Sequence, residues 1–155
     1  MNASASKKQA ARPTSPAVRV LVVEDSEESA RVAATLLETA GYVVQTARNG
    51  TEGLVVAETF HPQVVLIDIG LPGLDGLHVA RELRKVRHDA LLIAITGRSG
   101  PEAQQASAEA GFDYHLVKPL DFDKLADLLA APPLPKITRE AARPVDAEMR
   151  TESER

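Results

Sequence analysis

Five short apolar runs punctuate residues 18–130, and each is followed by a stretch with helical spacing. The runs Arg19–Val23, Val43–Ala47, Val64–Ile67, Leu91–Ile95 and Tyr114–Val117 predict strands. Leu21–Val23, Val64–Ile67 and Leu91–Ile95 are unbroken rather than alternating, as in strands covered on both faces. Between them the pattern predicts helices over Glu27–Thr39, Thr51–Thr59, Gly76–Val86, about Pro101 to Ala110, and Phe122–Ala130. Ser26 stands as the N-cap of the first helix and Gly41 as its stop; Asp121 stands before the last. Ser99 and Glu102 have capping-box spacing, and Pro101 favours a helix start. Five strand–helix units in alternation require right-handed crossovers, which gives an α/β fold: a doubly wound, five-stranded parallel sheet with five helices.

The composition changes at both ends. Residues 1–17 are small and polar and contain Pro13 and Pro16, so they read as a flexible leader. Their basic, Ser/Ala-rich character loosely resembles an organelle transit peptide, but a plain disordered leader is the preferred reading. Pro132, Pro133 and Pro135 end the last helix, and residues 131–155 read as a disordered, charged tail with no output domain. The domain is therefore expected over residues 18–130 of the 155.

Aromatic residues make up 3% of the chain and the formal net charge is -4, with no basic stripe. Direct nucleic-acid binding is thereby disfavoured. There is no cysteine, which excludes disulfides and thiolate metal sites and fits a reducing, cytoplasmic setting. No apolar stretch approaches the roughly 20 residues of a membrane span.

The candidate chemistry lies where the runs end. Val20–Val23 ends in Glu24 and Asp25, Val64–Ile67 in Asp68, Leu91–Ile95 in Thr96, and Tyr114–Val117 in Lys118. Each has a bland explanation alone: helix-capping acids, a turn, a strand end, a solvated lysine. In open parallel sheets, however, ligands bind at the carboxyl ends of the strands, which brings these positions to one rim. Three carboxylates there repel one another and demand a cation. Oxygen-only ligands favour a hard ion such as Mg2+. A carboxylate beside Mg2+ and a lysine is a plausible nucleophile toward phosphorus, and a threonine hydroxyl can donate to a phosphoryl oxygen.

The segments Val20–Asp25, Val65–Gly76, Ile95–Gly97 and Lys118–Pro119 together resemble the motifs of response-regulator receiver domains, in order over roughly Val18–Ala130. The resemblance implies a flavodoxin-like sheet of order 2-1-3-4-5. It implies Asp68 as phosphoacceptor, fed by a histidine kinase or phosphotransfer protein. Asp25, Asp68 and the Gly70 carbonyl would hold Mg2+, with Glu24 acting through water. Lys118 would contact the phosphoryl group, Pro119 would follow a cis peptide bond, and Thr96 would be the switch hydroxyl. The helix Glu27–Thr39 would receive the phosphodonor; Ala30, Ala33 and Ala34 could form a close-approach patch on it, although alanine in a helix more often reflects propensity or packing. The face of Pro101–Ala110, the last strand and Phe122–Ala130 would carry output, and homodimerisation is left open. The expected function is a single-domain response regulator that is not a metabolic enzyme and acts by docking or phosphorelay.

Two positions depart from the family pattern. An aromatic residue usually stands three before the lysine; here it is His115, as in receivers attached to hybrid sensor kinases. Tyr114 is one residue out of register and faces the other way. Two residues after Asp68 stands Gly70, and two after Thr96 stands Arg98, so neither place offers an acid or amide to orient a hydrolytic water. The alternatives are a pseudo-receiver used only for protein binding and an Asp-nucleophile phosphatase. The phosphatase would commonly carry a second acid where Gly70 stands. A dinucleotide-binding enzyme needs glycines where this chain has Glu24-Asp25-Ser26-Glu27.

Overall fold

The strands form one parallel sheet in the order β2-β1-β3-β4-β5, with β1 Arg19–Val23, β2 Val43–Ala47, β3 Val64–Asp68, β4 Leu91–Thr96 and β5 Tyr114–Val117. The helices between them are α1 Glu27–Thr39, α2 Gly50–Phe60, α3 Gly76–Val86, α4 Pro101–Ala110 and α5 Phe122–Ala130. This is the expected flavodoxin-like arrangement. The computed structural model describes residues 17–130 apart from 71, 72, 74, 87, 88 and 99. The readings of residues 1–16 and 131–155, and of Ser99 as a cap, lie outside the described residues.

Strand alternation divides the core in two. Val20, Val22, Val64, Leu66, Ile93, Ile95 and Tyr114 pack with Ala33 and Leu37 of α1 and with Leu125 and Leu128 of α5. Leu21, Val23, Val65, Ile67, Leu92 and Ala94 face Ala57 of α2 and Val79, Ala80 and Leu83 of α3, with Ala110 and Phe112 closing the layer. Every residue of β3 is buried, so a polar side chain at its end is desolvated as well.

Local chemistry sets the helix ends. Ser26 Oγ accepts from the Ser29 N–H, Asn49 Oδ1 from Glu52, and Asp121 Oδ1 from Asp123 and Lys124. At α4 the residue before the helix is Gly100, with φ 107° and no side-chain cap bond. Ala30 and Ala33 are both buried, Ala33 within the core, while Ala34 is partly exposed; Val32 and Leu36 are the exposed large apolar residues of that helix.

A half-buried arginine ties α3 to the far side of the sheet. Arg84 donates to the Ala90 carbonyl at 2.8 Å and to Asp113 Oδ2 at 3.0 Å, and also to the Gly111 carbonyl. Asp113 Oδ2 accepts from the Leu92 N–H at 3.0 Å as well. This staple fixes the turn into β5 against the start of β4.

Candidate functional site

β3 and β4 each run one residue past their apolar stretch, and those two residues are Asp68 and Thr96. Asp68 pairs in register with Ile95, and Thr96 with Val117. Both side chains are buried, at 6% and 5% exposure. Among the described residues, no buried side-chain polar atom lacks a hydrogen-bond partner.

Asp68 uses both carboxylate oxygens. Oδ2 accepts from Lys118 Nζ at 2.9 Å, and Oδ1 accepts from the Gly70 N–H at 2.9 Å. Lys118 is carried at the end of β5, where its own N–H donates to the Thr96 carbonyl at 2.7 Å, and the Lys118–Pro119 peptide is cis. Its side chain remains 43% exposed, so one end of the pair meets solvent. The hydrogen bond to Asp68 outweighs desolvation and raises the Lys118 pKa from its ordinary 10.5, which keeps the ammonium charged at neutral pH.

Glu24, Asp25 and Asp68 each offer an oxygen, and these atoms lie within 4.8 Å of one another. Glu24 is half-buried, Asp25 exposed and Asp68 buried. Glu24 Oε2 accepts from the Ser26 N–H at 3.1 Å, which orients it at the start of α1. Three carboxylates with no nitrogen or sulfur ligand form a donor set that fits Mg2+, whose preference is for oxygen and partial hydration.

Burial raises the Glu24 pKa from 4.5; the Ser26 N–H opposes this, and the nearby Asp68 and Asp25 charges add to it. The folded chain therefore holds the Glu24 proton to higher pH than the unfolded chain does. Its contribution to stability without metal is present below pH 4.5 and is lost as pH rises through the raised value. Metal binding would have the opposite sign, because an acid that holds the ion, directly or through water, does so in its ionised form. Mg2+ affinity is expected to fall on acidification, starting at a higher pH than an ordinary glutamate would set, and Glu24→Gln should flatten that part of the profile. Calorimetric titration with Mg2+ across a pH series checks both.

The loop after β3 is held by a contact that sequence reasoning missed. At Gly76, the first residue of α3, a Cβ would lie 2.8 Å from the Asp68 carbonyl oxygen and 2.8 Å from Ile69 Cα. Gly76 thus lets α3 begin directly against the backbone that carries Asp68. An open cleft of about 370 Å3 leads from Asp68 and Lys118 between α1 and the start of α5, past Val32, Leu120 and Phe122.

Thr96 Oγ1 accepts from the Arg98 N–H at 3.0 Å. His115 stands on the α4 side of β5, with Nδ1 2.9 Å from Ser107 Oγ and Nε2 3.3 Å from the Arg98 carbonyl. Tyr114 points the other way, into the core beside α1 and α5. It is too far round the strand to stand in for His115.

The response regulator receiver domain model matches residues 20–130 of this chain. The chain belongs to the response-regulator receiver family. Receiver domains are sites of phosphorylation and dephosphorylation in two-component signalling rather than metabolic enzymes. A transcriptional regulatory protein of Bacillus subtilis, YkoG, is 39% identical over 106 residues, covering 68% of this chain and 46% of that protein. The response regulator MprA of a Mycobacterium is 34% identical over 108 residues, covering 70% of this chain and 47% of that protein. The chain spans about half the length of these curated relatives. Among solved structures, the chemotaxis protein CheY4 of Vibrio cholerae superposes with a TM-score of 0.71 at 28% identity, covering 74% of this chain and 97% of that one. The response regulator TrrA of Thermotoga maritima, in complex with Mg2+ and BeF, gives a TM-score of 0.65 at 35% identity, covering 72% of this chain and 96% of that one. Receiver domains interact with histidine kinases or phosphotransfer proteins. Among the described residues, no helix is long and apolar enough to cross a membrane.

Proposed function

We propose that Asp68 is the phosphoacceptor of this receiver, taking a phosphoryl group from a phosphohistidine of a kinase or phosphotransfer protein. The observation that carries this reading is the placement of Asp68: buried at a strand end, 2.9 Å from Lys118, with Glu24 and Asp25 oxygens within 4.8 Å. A carboxylate oxygen of Asp68 bonds to phosphorus as the P–N bond breaks, and the bonding electron pair returns to the donor imidazole. Lys118 moves its ammonium from the carboxylate to the transferred group, offsetting its charge. Asp25, Asp68 and the Gly70 carbonyl would hold Mg2+, with Glu24 acting through water. When bound, the ion neutralises charge on the phosphoryl oxygens. The Thr96 hydroxyl turns toward the phosphoryl group and carries its loop along, and the altered surface docks a target or passes the phosphoryl group onward.

Phosphoramidate tests this, because its P–N bond stands in for phosphohistidine. With Mg2+ it should add one phosphoryl group to the chain, and with the metal chelated it should add none. Absence of the adduct under both conditions favours a pseudo-receiver. Steady turnover of phosphate esters favours a phosphatase.

The phosphoaspartate is expected to be long-lived. Gly70 has no side chain and Arg98 supplies no base, so nothing at these places orients an attacking water. Its lifetime after removal of the donor should exceed that of receivers with Asn or Glu there by roughly tenfold or more. Gly70→Asn should shorten it: among the described residues a Cβ at Gly70 meets only Asp68 Oδ1 at 3.6 Å, an ordinary contact. Mass spectra at timed intervals after donor removal give both lifetimes.

A further inference from the structure

The cleft that opens from Asp68 and Lys118 has apolar walls and an acidic mouth. Val32 and Ala33 of α1 line one side, Leu120 and Phe122 the other, and Glu24 and Glu28 stand at the rim end. Val32 is 45% exposed, and Leu36, one turn further along the same face of α1, is 44% exposed. Together they carry the apolar wall from the rim toward the opposite edge of the sheet. Lys118 is paired with Asp68, whereas Glu28 has no ion-pair partner among the described residues. The complement of such a surface is an extended segment with one apolar and one basic row.

The chain itself supplies one. α1 and α5 cover the same face, and each runs away from the rim after a strand that ends there. α5 therefore delivers Ala130 to the far edge of the sheet, on the face that carries Leu36, and residues 131–155 follow. Ala131–Arg139 contains two large apolar residues, Leu134 and Ile137, two bases, Lys136 and Arg139, and no acid. Pro132, Pro133 and Pro135 favour an extended polyproline form with three residues per turn. In that form Leu134 and Ile137 share one side, and Lys136 and Arg139 share another. The reach also fits. The nine residues of α5 rise about 13 Å, and an extended chain at about 3.1 Å per residue recovers that in about four. A chain that reverses at Pro133 brings Ile137 back to the level of Phe122 and sets Arg139 at the acidic mouth. Residues 1–16 are basic too, but their one large apolar side chain is Met1.

We propose that the segment Ala131–Arg139 docks in cis along the cleft between α1 and α5, with Leu134 and Ile137 on Leu36 and Val32 and with Lys136 and Arg139 toward Glu28 and Glu24. A tether this short presents the segment at an effective concentration of about 1 mM, so a contact of only millimolar affinity is occupied about half the time. The docked segment covers the approach to Asp68 and the exposed face of α1, and it excludes a phosphodonor that needs either. The tail is thus an autoinhibitory strap. Its effect on phosphorylation rests on the reading of Asp68 as phosphoacceptor; the docking does not.

The chain has no cysteine, so Thr138→Cys gives a single site for a nitroxide label on the full chain. Val32 and Leu36 methyl signals should lose about half their NMR intensity, while Val55 and Val86, on the opposite face, keep theirs. Adding Leu134→Asp with Ile137→Asp should restore the signals. Lys136→Glu with Arg139→Glu, which turns attraction to Glu28 into repulsion, should restore them as well. Undiminished Val32 and Leu36 signals overturn the docking, and so does equal loss at Val55 and Val86. Loss that appears only between a spin-labelled copy and an isotope-labelled one places a second molecule there and also overturns it. In the unlabelled chain, Leu134→Asp with Ile137→Asp should speed phosphorylation by acetyl phosphate about twofold, the gain expected when a half-populated block is removed. Docking seen by NMR with an unchanged rate overturns the autoinhibition. If no variant and no wild type accepts a phosphoryl group, the phosphoacceptor reading fails, and the NMR result stands apart from it.

Discussion

Replacing Lys118 with alanine is expected to slow phosphorylation of Asp68 by a small phosphodonor at least about a hundredfold while the chain stays folded. The ammonium sits 2.9 Å from Asp68 Oδ2, within reach of any group bonded to that carboxylate. In a site already holding three carboxylates, a further anionic phosphoryl group needs every positive charge available. The stability cost is much smaller. The Lys118 side chain is 43% exposed, so its attraction to Asp68 is screened by water and contributes about 1 kcal/mol or less. Asp68 keeps the Gly70 N–H, and the backbone bond from Lys118 to Thr96 does not depend on the side chain. Lys118→Arg should rescue the rate poorly, because a planar guanidinium does not replace a compact ammonium in a fitted position. Time courses of phosphorylation by mass spectrometry, beside urea unfolding of each variant, separate the two effects. A rate within a few-fold of wild type would remove Lys118 from the proposed chemistry.

Gly76→Ala should be the most destabilising single-methyl change near the site. The added Cβ would meet two backbone atoms, the Asp68 carbonyl oxygen and Ile69 Cα, each at 2.8 Å. Neither is the far end of a flexible side chain, so either α3 or the end of β3 must move. Overpacking of this kind costs about 3 kcal/mol. In a domain of this size that lowers the melting temperature by roughly 10 °C or more. If β3 yields, Asp68 is displaced with it, and phosphorylation should slow beyond what the lost stability explains. Gly53→Ala is the contrast. Its Cβ would meet Val23 side-chain methyls at 3.0 and 3.3 Å, which can turn aside, so the cost should be well below that of Gly76→Ala. Thermal melts of the two variants decide it, and a Gly76→Ala melt equal to wild type would contradict the close packing.

The strands and their order were legible because a parallel sheet covered on both faces writes each strand as an unbroken apolar run. The same signal misplaced two strand ends. Asp68 and Thr96 belong to the ladder but are polar, so a pattern built on apolar residues stops one position early. That the acids, the hydroxyl and the lysine share a rim was also legible, since topology alone brings the carboxyl ends of parallel strands together. Side-chain partners far apart in sequence left no trace in the pattern. Ser107 is a small polar residue in an Ala-rich helix until His115 is seen 2.9 Å away. Arg84 and Asp113 lie 29 residues apart, and nothing local marks them as a pair. Gly76 follows Asp75, whose Oδ1 accepts from the His78 N–H, so it reads as an ordinary residue at a capped helix start; its close approach to Asp68 exists only in three dimensions. The alanines of α1 were ambiguous for a related reason. Alanines spaced along one helix face look the same whether they meet a partner or the protein's own core, and here Ala33 lies in the core while Ala34 stays partly exposed.

The claim that Asp68 carries the phosphoryl group is tested most directly by mass. The full chain and its Asp68→Asn variant are incubated side by side with Mg2+ and acetyl phosphate, and their intact masses are compared. The account predicts that the wild type gains one phosphoryl group and the variant none, with both folded by circular dichroism. An equal gain in the folded variant, or no gain in the wild type, would contradict it.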